Sequence, residues 1–146
     1  MLTYKVESNN LETANKMEFI RLSSYGFTPT EEEYDSYYIQ DIINGRLLVI
    51  TCYQDNKLVG GCYISATFNS LYIDYLFILP EYQETGLRLG RKLLQFILDN
   101  KHIVEEYFDT EFNQSKLYAP NEKAKNIYKK MGYKQENDLL CKKLLG

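Results

Sequence analysis

The stretch that decides the fold is LPEYQETGLRLGRKLLQFIL, residues 79–98. It leaves an apolar strand pattern, passes Gly86 and Gly90, and enters a leucine-rich helical pattern. Two of the chain's four arginines, Arg88 and Arg91, lie inside this turn. The first N–H groups of a helix have no partner within the helix, and the helix dipole favours an anion there. A strand, a glycine-bearing turn and a helix in this order therefore predict a phosphate site, to which the arginines add positive charge.

Two familiar phosphate loops are absent from this turn. A Walker loop requires G-x-x-x-x-G-K followed by Ser or Thr, whereas residues 86–92 read G-x-x-x-G-R-K. A Rossmann loop requires G-x-G-x-x-G, which is also missing. A helix start that carries a surface arginine pair is therefore an open alternative to a phosphate site.

Strand and helix patterns alternate along the rest of the chain, without repeats or linkers. Predicted strands cover residues 2–7, 46–53, 58–68, 71–79, 115–119, 133–135 and 139–145. Predicted helices cover residues 11–25, 30–44, 89–100 and 121–131. A helical spacing continues to residue 112, beyond a candidate break at Lys101 and His102. Asp55 and Asn56 form a hairpin turn between the second and third strands.

This order of elements predicts an α/β fold. A three-strand meander followed by a β–α–β crossover makes a mixed, mostly antiparallel sheet with helices on both faces. The length of 146 residues fits one domain, residues 1–146, with a core of its own.

The composition argues against several classes of protein. With a net charge of −3, the chain has no overall electrostatic attraction for nucleic acid. Its apolar runs are too short to span a bilayer, and its N-terminus lacks a signal-peptide pattern. Three cysteines, Cys52, Cys62 and Cys141, lie in strand-like segments and indicate reduced core residues in a cytoplasmic protein. The single histidine, His102, has no Cys/His cluster near it, so we expect no metal site.

A second motif lies in NEKAKNIYKKMGYK, residues 121–134, which carries Asn121, Ala124, Tyr128, Gly132 and Tyr133. Together with the first stretch, it resembles the GNAT superfamily of N-acetyltransferases. That family shows an apolar strand, then Arg/Gln-x-x-Gly-x-Gly/Ala and a leucine-rich helix, and later Asn-x-x-Ala-x-x-x-Tyr-x-x-x-Gly-Phe/Tyr. The second motif is complete here, and the order of elements is similar over the whole chain.

The first motif departs from the family pattern at one position. Gln83 and Gly86 begin it, but Arg88 stands where the family has its second glycine. The helical leucines fit better if Gly90 and Arg91 take that place, in a loop longer by two residues. The register of residues 83–91 therefore stays open, and Arg88 is expected to offset lost backbone contacts with direct charge.

The resemblance implies acetyl transfer from acetyl-coenzyme A, as co-substrate and without a metal, to a primary amine by direct attack in a ternary complex. The strand edge near residue 78 would pair with the pantetheine arm and face the thioester oxygen. Residues expected at the coenzyme A site are Phe77, Ile78, Leu79, Gln83, Thr85, Gly86, Leu87, Arg88, Leu89, Gly90, Arg91 and Asn121.

Two residues are candidates for proton transfer. Tyr128 stands at the position of the family's general acid, and a neutral phenol can protonate the leaving thiolate. Asp74 is a candidate base, directly or through water, on the strand before the loop. Alternation puts it on one face with Tyr72, Leu76 and Ile78. A tyrosine packed in the core and a solvated strand carboxylate are the structural alternatives.

The acceptor is expected near residues 26–44, which are rich in acidic residues and tyrosines. The acids favour a cationic acceptor, either a small-molecule amine such as a polyamine or aminoglycoside or a protein amino group. The aromatic residues Phe27, Tyr34, Tyr37 and Tyr38 would equally suit an apolar amine. A Tyr-lined acceptor pocket is a further hypothesis, because the chain has 14 tyrosines.

Other functions also stay open. A degenerate member could bind acyl-coenzyme A as a regulatory module without catalysis. A toxin-like enzyme could act on aminoacyl-tRNA through the lysines of residues 116–134, against the net acidity. The resemblance also implies a homodimer as one candidate assembly.

Overall fold

The computed structural model describes residues 1–83, 85, 88–137 and 140–145. The strands are β1 (Leu2–Val6), β2 (Leu48–Gln54), β3 (Lys57–Thr67), β4 (Ser70–Ile78), β5 (Gln114–Tyr118), β6 (Lys134–Gln135) and β7 (Leu140–Leu144). The helices are α1 (Leu11–Ser23), α2 (Ser36–Ile43), α3 (Pro80–Gln83), α4 (Leu89–Asp99), α5 (Lys101–Phe108) and α6 (Glu122–Lys130), with a 3-10 turn at Glu31–Glu33.

The described strands form one sheet in the order β1-β2-β3-β4-β5-β7-β6. Each neighbouring pair is antiparallel except β4 and β5, which are parallel and are joined through a crossover that contains the helices α3, α4 and α5. The predicted meander and the predicted mixed sheet are confirmed. At the predicted hairpin, Asp55 and Asn56 both have positive φ, as the tight turn between β2 and β3 requires.

The sheet parts between β4 and β5. Their parallel pairing runs from Ser70 opposite Gln114 to Ile73 opposite Leu117, and then stops. On its other side β4 stays paired with β3 as far as Ile78, which lies opposite Gly60. The second half of β4 therefore exposes one edge, and a cleft opens between the two strands.

A β-bulge at Asp74 changes which way β4 faces. Tyr63 of β3 pairs with Tyr75 and Ile64 pairs with Ile73, so that Asp74 is the extra residue. Before the bulge Ile73 packs in the core cluster under α4, whereas after it Leu76 contacts that cluster and Tyr75 contacts the opposite one. The prediction that Asp74 shares a face with Leu76 and Ile78 was wrong, because simple alternation does not anticipate the bulge.

Helices cover both faces of the sheet, as predicted. On one face Met17 of α1 and Ile42 of α2 are fully buried with Phe77 and Tyr63. On the other face α4 contributes Leu93, Leu94 and Ile97 to the larger cluster.

The helix predicted for residues 30–44 is interrupted. Thr30 and Glu33 form the predicted capping box, but it starts only the 3-10 turn Glu31–Glu33. The backbone becomes extended at Tyr34, and Asp35 caps a new helix by accepting a hydrogen bond from the Tyr37 amide at 2.8 Å. A second break, near the predicted one, lies at Asn100 between α4 and α5.

Candidate active site

Two adjoining cavities of about 680 and 540 Å³ occupy the cleft where β4 leaves β5. They share Ile78, Gln83, Lys123 and Ile127 in their walls, so they form one continuous groove. The larger cavity contains Asp74, Phe77, Asn121 and Tyr128 in its lining, and the smaller contains Arg88, Leu89, Gly90 and Arg91. The structure thus brings most predicted site residues together along this groove.

Positive charge concentrates at the smaller cavity. Arg88 and Arg91 line it from the start of α4, and Lys123 and Lys130 line it from α6. Sequence reasoning missed the two lysines as site residues. The signal was present, because they precede Ile127 by four residues and follow it by three, which places all three on one face of α6. Four cations at one end of a groove suit a polyanion such as a diphosphate.

The start of α4 is left-handed at Arg88, the residue before its first turn, with φ 53° and ψ 46°. Glycine adopts this conformation without steric cost, and other residues rarely do. Gly90 has no positive φ. The geometry therefore favours the register in which Arg88 stands at the family's second glycine, over the longer loop that puts Gly90 there.

Gly90 lies against the end of β4, where an added Cβ would make only ordinary contacts. A Cβ at this position would lie 3.4 Å from Cδ2 of Leu76 and 3.6 Å from Cγ1 of Ile78. The first turn of α4 is therefore held closely against the end of β4. Gly86 and Leu87, which are also predicted at this site, lie outside the described residues.

The exposed edge of β4 offers the backbone groups of Leu76 and Ile78. The Leu79 amide donates to the Val59 carbonyl at 2.8 Å, so it belongs to the β3 side. Because hydrogen bonding alternates along an antiparallel pair, the groups of Ile78 face the cleft. Of the predicted segment Phe77 to Leu79, only the middle residue can therefore offer its amide to a ligand. Leu79 itself is absent from the lining of both cavities.

Gln83 connects the cleft to α1. Its Nε2 donates to the carbonyl of Ile78 at 2.7 Å and to that of Ser24 at 2.8 Å. Thr85 is exposed, and its hydroxyl donates to the Tyr82 carbonyl at 3.3 Å. Leu89 is buried, which leaves its backbone rather than its side chain for a ligand.

Asn121 and Tyr128 lie on α6 in the wall of the larger cavity. Asn121 caps this helix by accepting a hydrogen bond from the Ala124 amide at 2.8 Å. Burial, with a smaller contribution from Cys141, raises the pKa of Tyr128 above 10.0, so its phenol is neutral at physiological pH. Within the described chain no residue hydrogen-bonds to the Tyr128 hydroxyl, which leaves its proton available.

Asp74 is half-buried in the same cavity. Its Oδ1 accepts a hydrogen bond from the Ser65 hydroxyl. Burial raises the pKa of Asp74, the Ser65 hydrogen bond opposes that shift, and the charge of Asp41 adds to it. A carboxylate with a raised pKa is a better proton acceptor near neutral pH than an ordinary one.

Tyrosines from three elements line the larger cavity beside Asp74. The hydroxyls of Tyr25, after α1, and Tyr75, on β4, lie 2.7 Å apart, and Tyr118 at the end of β5 packs edge-on against Tyr72 at 5.8 Å. Burial and the hydrogen bond with Tyr75 raise the pKa of Tyr25 to about 12, so this wall carries no charge at neutral pH.

The aromatic residues predicted at the acceptor are placed differently. Tyr38 packs on Tyr75 with ring centroids 5.8 Å apart, which makes it a second layer behind the cavity wall. Tyr37 and Phe27 are 81% and 45% exposed, and neither lines the larger cavity.

Acidic residues accompany several lysines expected in a basic groove. Lys116 and Lys142 lie 3.8 and 3.4 Å from carboxylate oxygens of Glu136, and Lys125 lies 3.3 Å from Glu122. These contacts interrupt the positive surface that a tRNA substrate would require.

The fold and the groove agree with the comparisons to known proteins. The sequence model of the acetyltransferase (GNAT) domain matches residues 45–135, which is more than half of the chain. The chain therefore belongs to the GNAT family of acetyltransferases. A search of curated protein sequences finds no match.

Solved structures share the fold at low sequence identity. The ribosomal-protein-S18-alanine N-acetyltransferase from Escherichia coli is 17% identical, with a TM-score of 0.67 over 100% of this chain and 95% of that one. A PaiA N-acetyltransferase from Thermoplasma acidophilum in complex with coenzyme A is 20% identical, with a TM-score of 0.63 over 99% of both chains. A GNAT-family acetyltransferase from Streptococcus pneumoniae is 18% identical, with a TM-score of 0.64 over 100% of both chains.

Two further searches were made over the described residues. They contain no group of three or more His, Cys, Asp or Glu side chains that could hold a metal ion. No helix in the same part of the chain is both long and apolar enough to cross a membrane.

Proposed function

We propose that this protein transfers an acetyl group from acetyl-coenzyme A to a primary amine by direct attack in a ternary complex. One observation carries the proposal. The cleft between β4 and β5 runs from four cations at one end to Tyr128 and Asp74 at the other. A phosphate-binding end and a proton-transfer end thus lie in a single groove.

The residues present fit acetyl-coenzyme A. The first amides of α4, with Arg88, Arg91, Lys123 and Lys130, would hold the diphosphate. The free edge of β4 at Ile78 would pair with the amides of the pantetheine arm, in place of the missing neighbour strand. When bound, the co-substrate supplies an acetyl group activated as a thioester.

The protein's own groups then act at two positions. Asp74 accepts a proton from the ammonium form of the acceptor, which frees the nitrogen lone pair to attack the thioester carbon. As the new C–N bond forms and the C–S bond breaks, Tyr128 gives its proton to the departing sulfur. The nitrogen's second proton restores the phenol. The backbone N–H of Leu76, on the same free edge of β4 and two residues from Asp74, would stabilise negative charge on the carbonyl oxygen.

The first test replaces Tyr128 with phenylalanine. Tyr128→Phe keeps the ring and removes only the proton donor, so we expect kcat to fall about 100-fold, within the usual range for general acid–base catalysis. Release of coenzyme A thiol, measured with a panel of amines, is the assay. Tyr37→Phe, which removes the hydroxyl of an exposed tyrosine outside the groove, is the matched control.

A non-catalytic module that binds acyl-coenzyme A is the alternative. It predicts coenzyme A binding by calorimetry without thiol release for any amine. Turnover that is equal in wild type and Tyr128→Phe would contradict the assigned acid, whereas a failure to bind coenzyme A would contradict the proposal as a whole.

A further inference from the structure

Asp74 differs from the other buried carboxylates in having no cationic partner. Glu18, which is fully buried, accepts a hydrogen bond from Nε of Arg21 at 2.7 Å. Glu7, also buried, forms an ion pair with Lys16. Over the described residues, Asp74 makes no ion pair with any lysine or arginine. A carboxylate held away from water without a counter-charge is costly, and a ligand cation would remove that cost.

The nearby arginine cannot serve as that counter-charge. Both oxygens of Glu18 accept hydrogen bonds from Arg21, at 2.7 and 2.9 Å. The rings of Tyr38 and Tyr75 cover the guanidinium, each with its centroid 4.9 Å from Cζ. The charge of Arg21 is therefore already paired with Glu18 and the two tyrosine rings, and it is not available to Asp74.

Among the described residues, the larger cavity around Asp74 has four tyrosines in its lining, and its one cation, Lys123, lies where it adjoins the smaller cavity. Tyr25, Tyr75 and Tyr118 line it together with Tyr128. Tyrosine rings attract ammonium groups through their negative faces and also pack against methylene chains. A carboxylate within such a surface suits a cation that is attached to an apolar chain.

We propose that the acceptor is a linear aliphatic amine without a carboxylate, whose ammonium pairs with Asp74 and whose methylene chain lies against the rings of Tyr25 and Tyr75. This inference rests on the proposed function, because it names the acceptor class for the same groove. It extends that function from amines in general to one chemical class.

The segment between Arg21 and Arg46 supports this choice. Residues 22–45 contain Glu31, Glu32, Glu33, Asp35 and Asp41, and no lysine, arginine or histidine. This segment supplies Tyr25 to the wall and Tyr38 to the layer behind it. Of its acids, Asp41 acts on Asp74 through its charge. A carboxylate on the acceptor would therefore meet like charge from Asp74 and Asp41, whereas a second ammonium would be attracted.

Three amines of matched length test the acceptor class. Butylamine, putrescine and γ-aminobutyrate each have four carbons and share a primary amine on a chain of three methylenes. The fourth carbon is a methyl in butylamine, an aminomethyl, cationic at neutral pH, in putrescine and a carboxylate in γ-aminobutyrate. We expect protein loaded with coenzyme A to bind butylamine about tenfold or more tightly than γ-aminobutyrate, because Asp74 repels the carboxylate of the latter. Putrescine should bind at least as tightly as butylamine. Isothermal titration calorimetry measures this binding without requiring turnover.

Asp74→Asn tests the site itself. We expect it to weaken butylamine binding at least about tenfold, because the neutral amide cannot pair with an ammonium, while coenzyme A still binds. Glu106→Gln, an exposed carboxylate on α5, is the matched control and is expected to leave both affinities unchanged. Retained coenzyme A affinity shows that Asp74→Asn is folded.

Failures of the two proposals are distinguishable. Equal affinity for butylamine and γ-aminobutyrate, no affinity for any of the three amines, or unchanged butylamine affinity in Asp74→Asn would overturn the acceptor class. The expected order of affinities without any thiol release would support that class and contradict catalysis. Thiol release with other amines only would leave catalysis standing and overturn the acceptor class.

Discussion

Arg88 combines an unfavourable backbone conformation with a useful charge. A left-handed backbone costs a non-glycine residue about 1–2 kcal/mol, and the family has glycine at this place. The side chain of Arg88 lies in the wall of the smaller cavity, where three other cations gather. Arg88 therefore lowers the stability of the fold through its backbone and adds positive charge at the expected position of a diphosphate. Substitutions can separate these two effects.

We predict that Arg88→Gly raises stability and lowers coenzyme A affinity. Relief of the left-handed strain, less the greater freedom of glycine in the unfolded chain, should add up to about 1 kcal/mol to the free energy of unfolding. Loss of one charge should weaken binding several-fold, and Arg88→Glu should weaken it further. Urea unfolding and calorimetry measure the two quantities.

Arg46→Glu is the charge-matched control, since Arg46 lies 3.4 Å from Asp41 and not in the smaller cavity. Equal, small losses of affinity in Arg88→Glu and Arg46→Glu would contradict the role of Arg88. An unchanged free energy of unfolding in Arg88→Gly would contradict the strain.

At the scale of the elements, strands and helices were predictable where one local rule acts alone. The existence of strand β4, the helix start at Asn121 and the Asp55–Asn56 turn were predicted correctly, because each depends on a few neighbouring residues. The break after Glu33 and the bulge at Asp74 were not, because they depend on distant partners. Glu18, for example, accepts a hydrogen bond of 2.8 Å from the Asp35 amide, 17 residues further along the chain.

The site divides in the same way. The two motifs predicted most of the residues that line the groove. The motifs did not predict Lys123 or the tyrosine wall, because these come together only when α6, α1 and β4 pack around the cleft. Tyr25 and Tyr75 are 50 positions apart, and nothing in either local sequence indicates their 2.7 Å contact.

Glu7 joins three elements, and its charge makes their association dependent on pH. It directly follows β1, forms an ion pair with Lys16 of α1, and accepts a hydrogen bond from the Thr51 hydroxyl of β2 at 3.2 Å. Burial alone would raise the pKa of Glu7, but the hydrogen bond and charge of Lys16, with smaller contributions from Lys5 and Thr51, lower it overall. A lowered pKa in the folded state stabilises the fold above the ordinary value of 4.5, and that contribution disappears as the pH falls below it.

We predict that Glu7→Gln lowers the free energy of unfolding by about 1–2 kcal/mol at pH 7. Loss of a fully buried ion pair would cost more, but Lys16 is partly exposed, so solvent screens part of this interaction. The difference from wild type should shrink at pH 3, because protonation of the wild-type carboxylate removes its contribution progressively as the pH falls below 4.5. Urea unfolding at both pH values measures this. Glu106→Gln, which changes the charge equally at an exposed site, should show little difference at either pH. A constant difference for Glu7→Gln would mean that the charge is not involved.

The whole molecule carries a small net charge of −3, but the two ends of its groove differ in sign. Four cations line the end beside α4, while Asp74 lines the other end and Asp41 acts on it through its charge. Such a field would orient an anionic nucleotide and a cationic amine toward opposite ends. Net charge alone conceals this separation.

The parting of β4 from β5 also divides the sheet mechanically. In the described chain, the backbone bonds across this seam are the four pairs from Ser70 and Gln114 to Ile73 and Leu117 and one bond before them, from the Asn113 amide to the Asn69 carbonyl at 3.1 Å. The strands β5, β7 and β6, with α6, are therefore joined to β4 only along the first half of that strand. A ligand bound in the cleft would contact both sides of the seam and stabilise their association. We therefore predict that saturating coenzyme A slows amide hydrogen exchange in β5 and β7 more than in β1 and β2, by up to about 2.7 kcal/mol at 100 times the dissociation constant. Uniform slowing throughout the sheet would show that the seam is no weaker than its surroundings.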